Sequence, residues 1–351
     1  MTTKTLKGIL IGAAVVAGIA LALKLASKLE AQLDVEPEGA GTSASFTTVR
    51  EGEEDGDAVS PLEDNSEAVT TIYYDGKTYQ KNENISTLLI MGIDDYELEE
   101  ETSFRNNSQA DFLLLAAFDN ENKTCTLLQL NRDTMCDVPV LGMQGNIMGL
   151  TTEQLALAHT YGSGLADSGE NTVDAVSRLL YDTPIDNYLS LTMGAIPVLN
   201  DLVGGVTVTI EDDFSAVDDT LIQGETITLT GEHALNYVRA RSSMADDTNL
   251  ARMGRQRAYI MALVQQIQAK VQADPTFMLK AYAAVADYLV TDCDLDELSD
   301  YGTQLSGYAL SDILTTEGEA VLGDVYMEFY VDEAALQQQV VDLFYVPVDS
   351  E

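Results

Sequence analysis

The sequence predicts an α/β domain whose central sheet is covered on both faces. Three observations predict it. The runs STLLIMGIDD, ADFLLLAAFD and TCTLLQLNRD are nearly continuous in apolar residues, the pattern of strands buried on both sides. Segments with helical periodicity alternate with such runs further along the chain. A hydrophobic fraction of 46% over 351 residues is ample for a sizeable core.

Taken in order, the chain opens on an uncharged stretch from Gly8 to Leu23, with Lys4 and Lys7 before it and Lys24 and Lys28 after it. It falls slightly short of the roughly 20 residues that span a bilayer, and snorkelling lysines with Leu25 and Ala26 extend it. Residues 1–28 are therefore expected to be a cytoplasmic tip and a transmembrane anchor, with a cleaved signal peptide as the competing reading. No clean small-x-small cleavage site accompanies it. Residues 29–70 are acidic and rich in Gly, Ser, Pro and Glu, the composition of a disordered, self-repelling tether. The main domain is expected over 71–270. It begins with TIYYDGKTYQKN, a hairpin turning at Asp75-Gly76, and continues through the three buried strands. Helical periodicity follows in TTEQLALAHTYG and ENTVDAVSRLLY. IPVLNDLVGGVTVTI reads as a helix ending at a glycine pair and then a strand, and ARMGRQRAYIMALVQQIQAKVQ as a long helix. Residues 271–351 read as a helical and strand extension packed on that domain, including strand-like YMEFYV and an amphipathic helix.

Charge narrows the function. The net charge is −40 and the pI about 4.1, which argues against nucleic acid as a partner, because phosphate-backbone binding is driven by positive fields. Cys125, Cys136 and Cys293 form no CxxC spacing and no Cys/His cluster, so zinc is not expected. They read as buried free thiols, with a Cys125–Cys136 disulfide as the alternative. His159, after QLALA, reads as a buried helix residue. There is no GxxxxGK[ST] loop, no GxSxG elbow and no HExxH.

Against this acidic background five arginines fall within ALNYVRARSSMADDTNLARMGRQRAYI, residues 234–260. If YVRAR is a strand, Arg239 and Arg241 project from one face. Arg252 and Arg255 share a helix face, with Tyr259 one turn on. Arg257 points elsewhere and reads as a surface ion-pair partner. Strand ends place Asp94 and Asp95 after the first buried run, Asp111 at the start of the second, and Asn131-Arg132-Asp133 after the third. Polar groups at strand ends are where open α/β sheets collect ligands. Converging guanidiniums suit phosphate or pyrophosphate, and paired aspartates suit Mg²⁺ bridging to phosphate oxygens.

The order of LLIMGIDD, QADFLLLAAFD, LLQLNRDTMCDVP, LVGGVTVTI, LTGEHALNYVRAR and RMGRQRAYI resembles the LytR-CpsA-Psr family, over roughly Ser86 to Lys270. The resemblance implies a mixed central sheet sandwiched between helices (αβα), holding a polyprenyl-linked (pyro)phosphate with its tail in an apolar groove between sheet and helices. It implies that Asp94 and Asp111 bind Mg²⁺ and that Arg132, Arg239, Arg241 and Arg255 grip the phosphates with Arg252 as helper. Asp133 would orient Arg132, and Arg105 is grouped with the pyrophosphate ligands. Two departures stand out: Gln109-Ala110 where many members carry Arg before the second metal aspartate, and Asn146-Ile147-Met148 where a Lys-Ile-Asn segment is common. Asp246, Asp247 and Asn249 are candidates for the polar role of the link between Arg241 and Arg252.

The function expected from all this is a membrane-anchored, single-pass, extracytoplasmic Mg²⁺-dependent phosphotransferase. It would move a polyprenyl-pyrophosphate-linked polysaccharide of teichoic acid or capsule type onto peptidoglycan. A non-catalytic polyprenyl-phosphate-binding regulator of envelope assembly and a polyprenyl pyrophosphatase are the alternatives.

Overall fold

The computed structural model describes residues 46–50, 69–100, 105–240 and 248–348. The expected anchor over 1–28 and most of the expected tether lie outside the described residues. Within the described residues, no helix is long and apolar enough to cross a membrane. Residues 44–351 form one compact unit.

Strands β1 (Phe46–Arg50), β2 (Val69–Tyr74) and β3 (Lys77–Lys81) pair antiparallel. The β2–β3 turn is Asp75-Gly76, with φ of 47° and 71°, the left-handed pair that a tight hairpin requires. β1 corrects the tether: its backbone pairs in register with β2, and Phe46 packs 4.5 Å from Tyr181 and 5.9 Å from Tyr74, centroid to centroid. An apolar anchor in an otherwise acidic stretch is enough to fix it.

Next come β4 (Ile85–Ile93), β5 (Ala110–Asp119) and β6 (Thr124–Leu130), as the three apolar runs predict. They are followed by the hairpin β7 (Met135–Leu141) and β8 (Ile147–Gln154), a 3-10 turn at Leu155–Thr160, α1 (Ala166–Leu179), β9 (Asn187–Thr192) and α2 (Ala195–Val203). The chain continues through β10 (Val206–Thr209), β11 (Thr226–Leu229), α3 (Glu232–Arg239), α4 (Asn249–Ala273), α5 (Phe277–Val285), β12 (Leu289–Thr291) and α6 (Leu295–Gly307). It ends with β13 (Ala309–Thr315), the hairpin β14 (Gly318–Leu322) and β15 (Met327–Val331), α7 (Glu333–Phe344) and β16 (Tyr345–Pro347).

The central sheet has the order β12-β9-β4-β5-β6-β13 and is mixed. β5 is antiparallel to both neighbours, whereas β4–β9 and β6–β13 are parallel. Alternation along each strand divides the core. Leu89, Met91, Leu113, Leu115, Leu128 and Leu130 face α1, α7 and the 3-10 turn; Leu88, Leu114, Ala116, Phe118 and Leu127 face α4 and α6. Both faces are therefore covered, as the unbroken apolar runs require.

Three sequence expectations change. TTEQ completes β8 instead of opening a helix, because Thr151 and Thr152 pair with Val138 and Asp137 and leave only LALAHT to coil. YVR belongs to helix α3, whose Ala234, Leu235, Tyr237 and Val238 are buried at helical spacing, and the backbone turns extended at Ala240. Arg241 lies outside the described residues. Finally, residues 271–351 supply β12 and β13, the two edge strands of the central sheet, and β16, which pairs with β3. They are part of the domain's frame.

Candidate functional site

An apolar cavity of ≈330 Å³ runs between the central sheet and helices α2, α4, α5 and α6. Its walls include Leu88, Leu114, Ala116, Leu189, Ile260 and Leu263, and its lining also holds Asp111, Arg239, Arg252 and Gln256. Asp111 stands at the start of β5, beside the end of β4 and the end of β6, so three neighbouring strands deliver their terminal polar groups to one place.

Asp111 is the hub. Arg132 Nη1 donates to Asp111 Oδ1, and Arg252 Nη1 donates to Asp111 Oδ2 at 2.9 Å. Arg132 Nη2 donates to Gln109 Oε1 at 2.5 Å, and its Nε lies 3.3 Å from Asp133 Oδ1. Asp133 accepts in turn from Gln154 Nε2 at 3.0 Å, which holds this carboxylate beside Arg132. Arg252 is buried, and its Nη2 donates to Asn249 Oδ1 at 2.8 Å. Asn249 Nδ2 donates to Asn131 Oδ1 at 2.7 Å, which ties α4 to the loop after β6. Asp246 and Asp247 lie outside the described residues.

Asp94 follows β4, and its Oδ1 accepts the Gln109 N–H at 2.6 Å. Burial first, and then the like charges of Asp111 and Asp95, push its carboxyl above the ordinary aspartate value, against the Gln109 hydrogen bond and the Arg132 charge. Gln109 thus serves both sides of the site, bridging Asp94 and Arg132. The neighbouring Asp95 accepts from Ser108 Oγ, whose backbone carbonyl meets His159 Nδ1 at 3.0 Å. His159 is buried, as expected, and its pKa is lowered by burial.

Not every predicted ligand converges. Arg239 ends α3, is exposed and lines the cavity. Arg255 is buried elsewhere: Nη1 pairs with Asp212 Oδ2 at 2.8 Å, Nη2 donates to the Ala240 carbonyl, and the guanidinium sits 5.8 Å from the Phe214 ring centroid. Arg105 lies over the Tyr161 ring at 4.4 Å and 3.9 Å from Glu153, apart from the Asp111 contacts. Arg257 donates to Gln129 Oε1 at 3.3 Å and is half-buried, so it is no simple surface ion-pair partner. Asn146 sits in the β7–β8 turn, with Nδ2 3.1 Å from Met148 Sδ. Gln256, which sequence reasoning passed over, lines the cavity and accepts from Gln129 Nε2 at 3.2 Å. Its only signal was its place one turn beyond Arg252 on the same helix face.

Among the described residues no group of three acidic, His or Cys side chains gathers. Mg²⁺ commonly takes one or two carboxylates and completes its shell with water and substrate phosphate; Asp94 and Asp111 are the carboxylates on hand, and at Asp111 such a cation would share oxygens with Arg132 and Arg252. Burial does most to raise Asp94, and the like charges of Asp111 and Asp95 that add to it are what such a cation would relieve.

A mixed αβα domain with an apolar cavity whose lining includes the guanidiniums of Arg239 and Arg252 and the carboxylate of Asp111 is the class of protein that the fold and site define. The chain belongs to the LytR_cpsA_psr family, whose model matches residues 47–343. It is 29% identical over 222 residues to the polyisoprenyl-teichoic acid–peptidoglycan teichoic acid transferase TagU of Enterococcus faecalis, covering 62% of this chain and 64% of that one. It is 28% identical over 226 residues to TagU of Halalkalibacterium halodurans, covering 64% and 66%. The matches thus span just under two-thirds of these relatives. A TagT structure bound to LI-WTA shares the fold, with a TM-score of 0.57 and 22% identity over 74% of this chain and 90% of that one.

Proposed function

We propose that the chain is an extracytoplasmic phosphotransferase that moves a glycopolymer from a polyprenyl-pyrophosphate carrier onto peptidoglycan, the kind of reaction its TagU relatives are named for. One observation carries the reading: the apolar cavity is lined by Asp111, Arg239 and Arg252 as well as by apolar side chains, so a prenyl tail and its diphosphate each meet matching chemistry. The acceptor hydroxyl attacks the phosphorus bearing the polymer. The bond from that phosphorus to the bridging oxygen breaks, its electron pair leaves on polyprenyl phosphate, and the hydroxyl proton is lost to solvent. Arg132, held by Asp111, Gln109 and Asp133, together with Arg239 and Arg252, neutralises charge developing on the phosphoryl oxygens. Arg241 is assigned the same role from the sequence. A Mg²⁺ ion held by Asp94 and Asp111 would supply further charge neutralisation at the diphosphate. Membrane attachment through residues 1–28 would bring the cavity to its lipid-linked substrate.

The test is a transfer assay on the full chain with a polyprenyl-pyrophosphate-linked oligosaccharide, a soluble peptidoglycan acceptor and Mg²⁺. A phosphodiester-linked product that requires Asp111 and Arg252 supports the proposal. Binding without turnover would favour a regulator, a role consistent with both Asp111 oxygens being engaged by arginines. Release of phosphorylated polymer with water as acceptor would favour a pyrophosphatase.

A further inference from the structure

His159 is 1% exposed, and among the described residues its imidazole makes one hydrogen bond, from Nδ1 to the Ser108 carbonyl at 3.0 Å. A carbonyl can only accept, so Nδ1 carries the proton. Burial lowers the pKa of the ring, and Nε2 is buried with no partner among the described residues, which fits a neutral imidazole with its lone pair there. A side chain needed only to fill this space would be apolar, because burying a polar ring is unfavourable unless its hydrogen bonds are made. The polar character of His159 is spent on one carbonyl.

That carbonyl belongs to the Ser108–Gln109 peptide, and the N–H of the same peptide donates to Asp94 Oδ1 at 2.6 Å. Both polar groups of this peptide, which precedes β5, therefore go to side chains. A trans peptide is planar, with its C=O and N–H pointing opposite ways, so His159 and Asp94 hold the two ends of one rigid unit. Fixing one end aims the other, and hydrogen bonds in such a chain polarise one another. The surrounding contacts keep the unit in register. The Asp94 N–H donates to the Gln109 carbonyl at 3.0 Å, Ser108 N donates to Asn106 Oδ1 at 2.7 Å, and Asn106 Nδ2 donates to the His159 carbonyl at 2.9 Å.

We infer that His159 is a positioning residue for Asp94, acting through the Ser108–Gln109 peptide without touching the carboxylate itself. The histidine aims the Gln109 N–H at Oδ1, and that bond fixes how the carboxylate is presented. Gln109 also accepts from Arg132 Nη2 at 2.5 Å through its side chain, so the same residue carries the alignment to the arginine side of the site. What Asp94 does toward a cation rests on the transfer reading above; the His159–peptide–Asp94 chain does not.

The test is a double-mutant cycle of His159→Leu and Asp94→Ala in the full chain, without divalent cations, read by urea unfolding. His159→Leu should raise the unfolding constant about three- to tenfold less when Asp94 is already alanine than when it is present. His159→Phe, which keeps a ring and drops the donor, serves the same cycle if the leucine variant does not fold. His159→Asn, whose Nδ2 is attached to Cγ as Nδ1 is, should keep the bond to Ser108 and stay near wild type. Mg²⁺ reads the consequence at the site: the concentration giving half of the full rise in Tm should be about tenfold higher in His159→Leu, as for partners of metal-ligating side chains, and nearly unchanged in His159→Asn. Additive losses in the cycle, or asparagine behaving as leucine does, would overturn the inference. A wild type indifferent to Mg²⁺ would sink the cation reading alone, since the cycle is run without it.

Discussion

Arg252 reaches Asp111 across 141 residues of sequence, its Nη1 2.9 Å from Oδ2, and so pins α4 to the start of β5. Arg132 holds the other oxygen of the same carboxylate. One half-buried anion therefore keeps two cations in place beside the cavity. Asp111→Asn should cost about 2–3 kcal/mol, because it takes the shared anion from two largely buried guanidiniums. Urea unfolding monitored by circular dichroism measures the loss. Undecaprenyl pyrophosphate should recover more stability in this variant than in wild type, since its phosphates replace the missing charge.

Arg255 and Asp212 form a pair of their own at 2.8 Å. A double-mutant cycle of Arg255→Ala and Asp212→Ala should show a coupling of about 1–2 kcal/mol in stability. Additive losses would mean that the pair is incidental and that Arg255 is available to a ligand.

Ala116 is buried and lines the apolar cavity. Ala116→Phe should fill part of that space and weaken binding of a long polyprenyl pyrophosphate at least about tenfold, or about 1.4 kcal/mol. Geranyl pyrophosphate, with a short tail, should lose less. Calorimetry with both ligands distinguishes a tail-binding cavity from an unused void.

Asp94 carries a raised pKa, so its protonated form is favoured in the folded state. Its contribution to stability is full below the unfolded aspartate value and is lost as pH rises through the higher folded value. Asp94→Asn should therefore match wild type in acid and exceed it at neutral pH without divalent cations. Mg²⁺ should raise the Tm of wild type at pH 7 and leave the variant nearly unchanged.

Burial pushes the thiols of Cys125 and Cys136 up to about 12 and that of Cys293 to about 11. All three are free. Ellman's reagent at pH 8 should titrate almost none in the native chain and three in guanidinium chloride, because the thiolate is the reactive form.

The strands β4, β5 and β6 and the helix α4 were legible because their patterns are long and uninterrupted, and the hairpin at Asp75-Gly76 because its turn chemistry is local. Asp94, Asp111, Arg132 and Arg252 were legible as polar punctuation at the ends of those elements. Arg255 was not separable from Arg252 by spacing alone: three residues apart on a helix puts both on one broad face, and only the loop bearing Asp212 and Phe214 decides which way Arg255 turns. The role of Gln109 was hidden for a similar reason, since an uncharged residue in place of an arginine reads as a loss until its two hydrogen bonds are seen. The edge strands β12 and β13 were missed because β12 has only three residues and β13 is half-exposed, so neither carries an apolar run.

The parallel pairing of β13 with β6 has a consequence for how the molecule comes into being. Residue 124 waits for residue 309, and Lys81 for Tyr345. A growing chain therefore displays the unpaired flank of β6 until β13 emerges far later in the sequence, and such a flank is an open template for wrong partners. Folding should be late, slow and all at once, and a chain cut at residue 270 should aggregate rather than survive as a smaller domain.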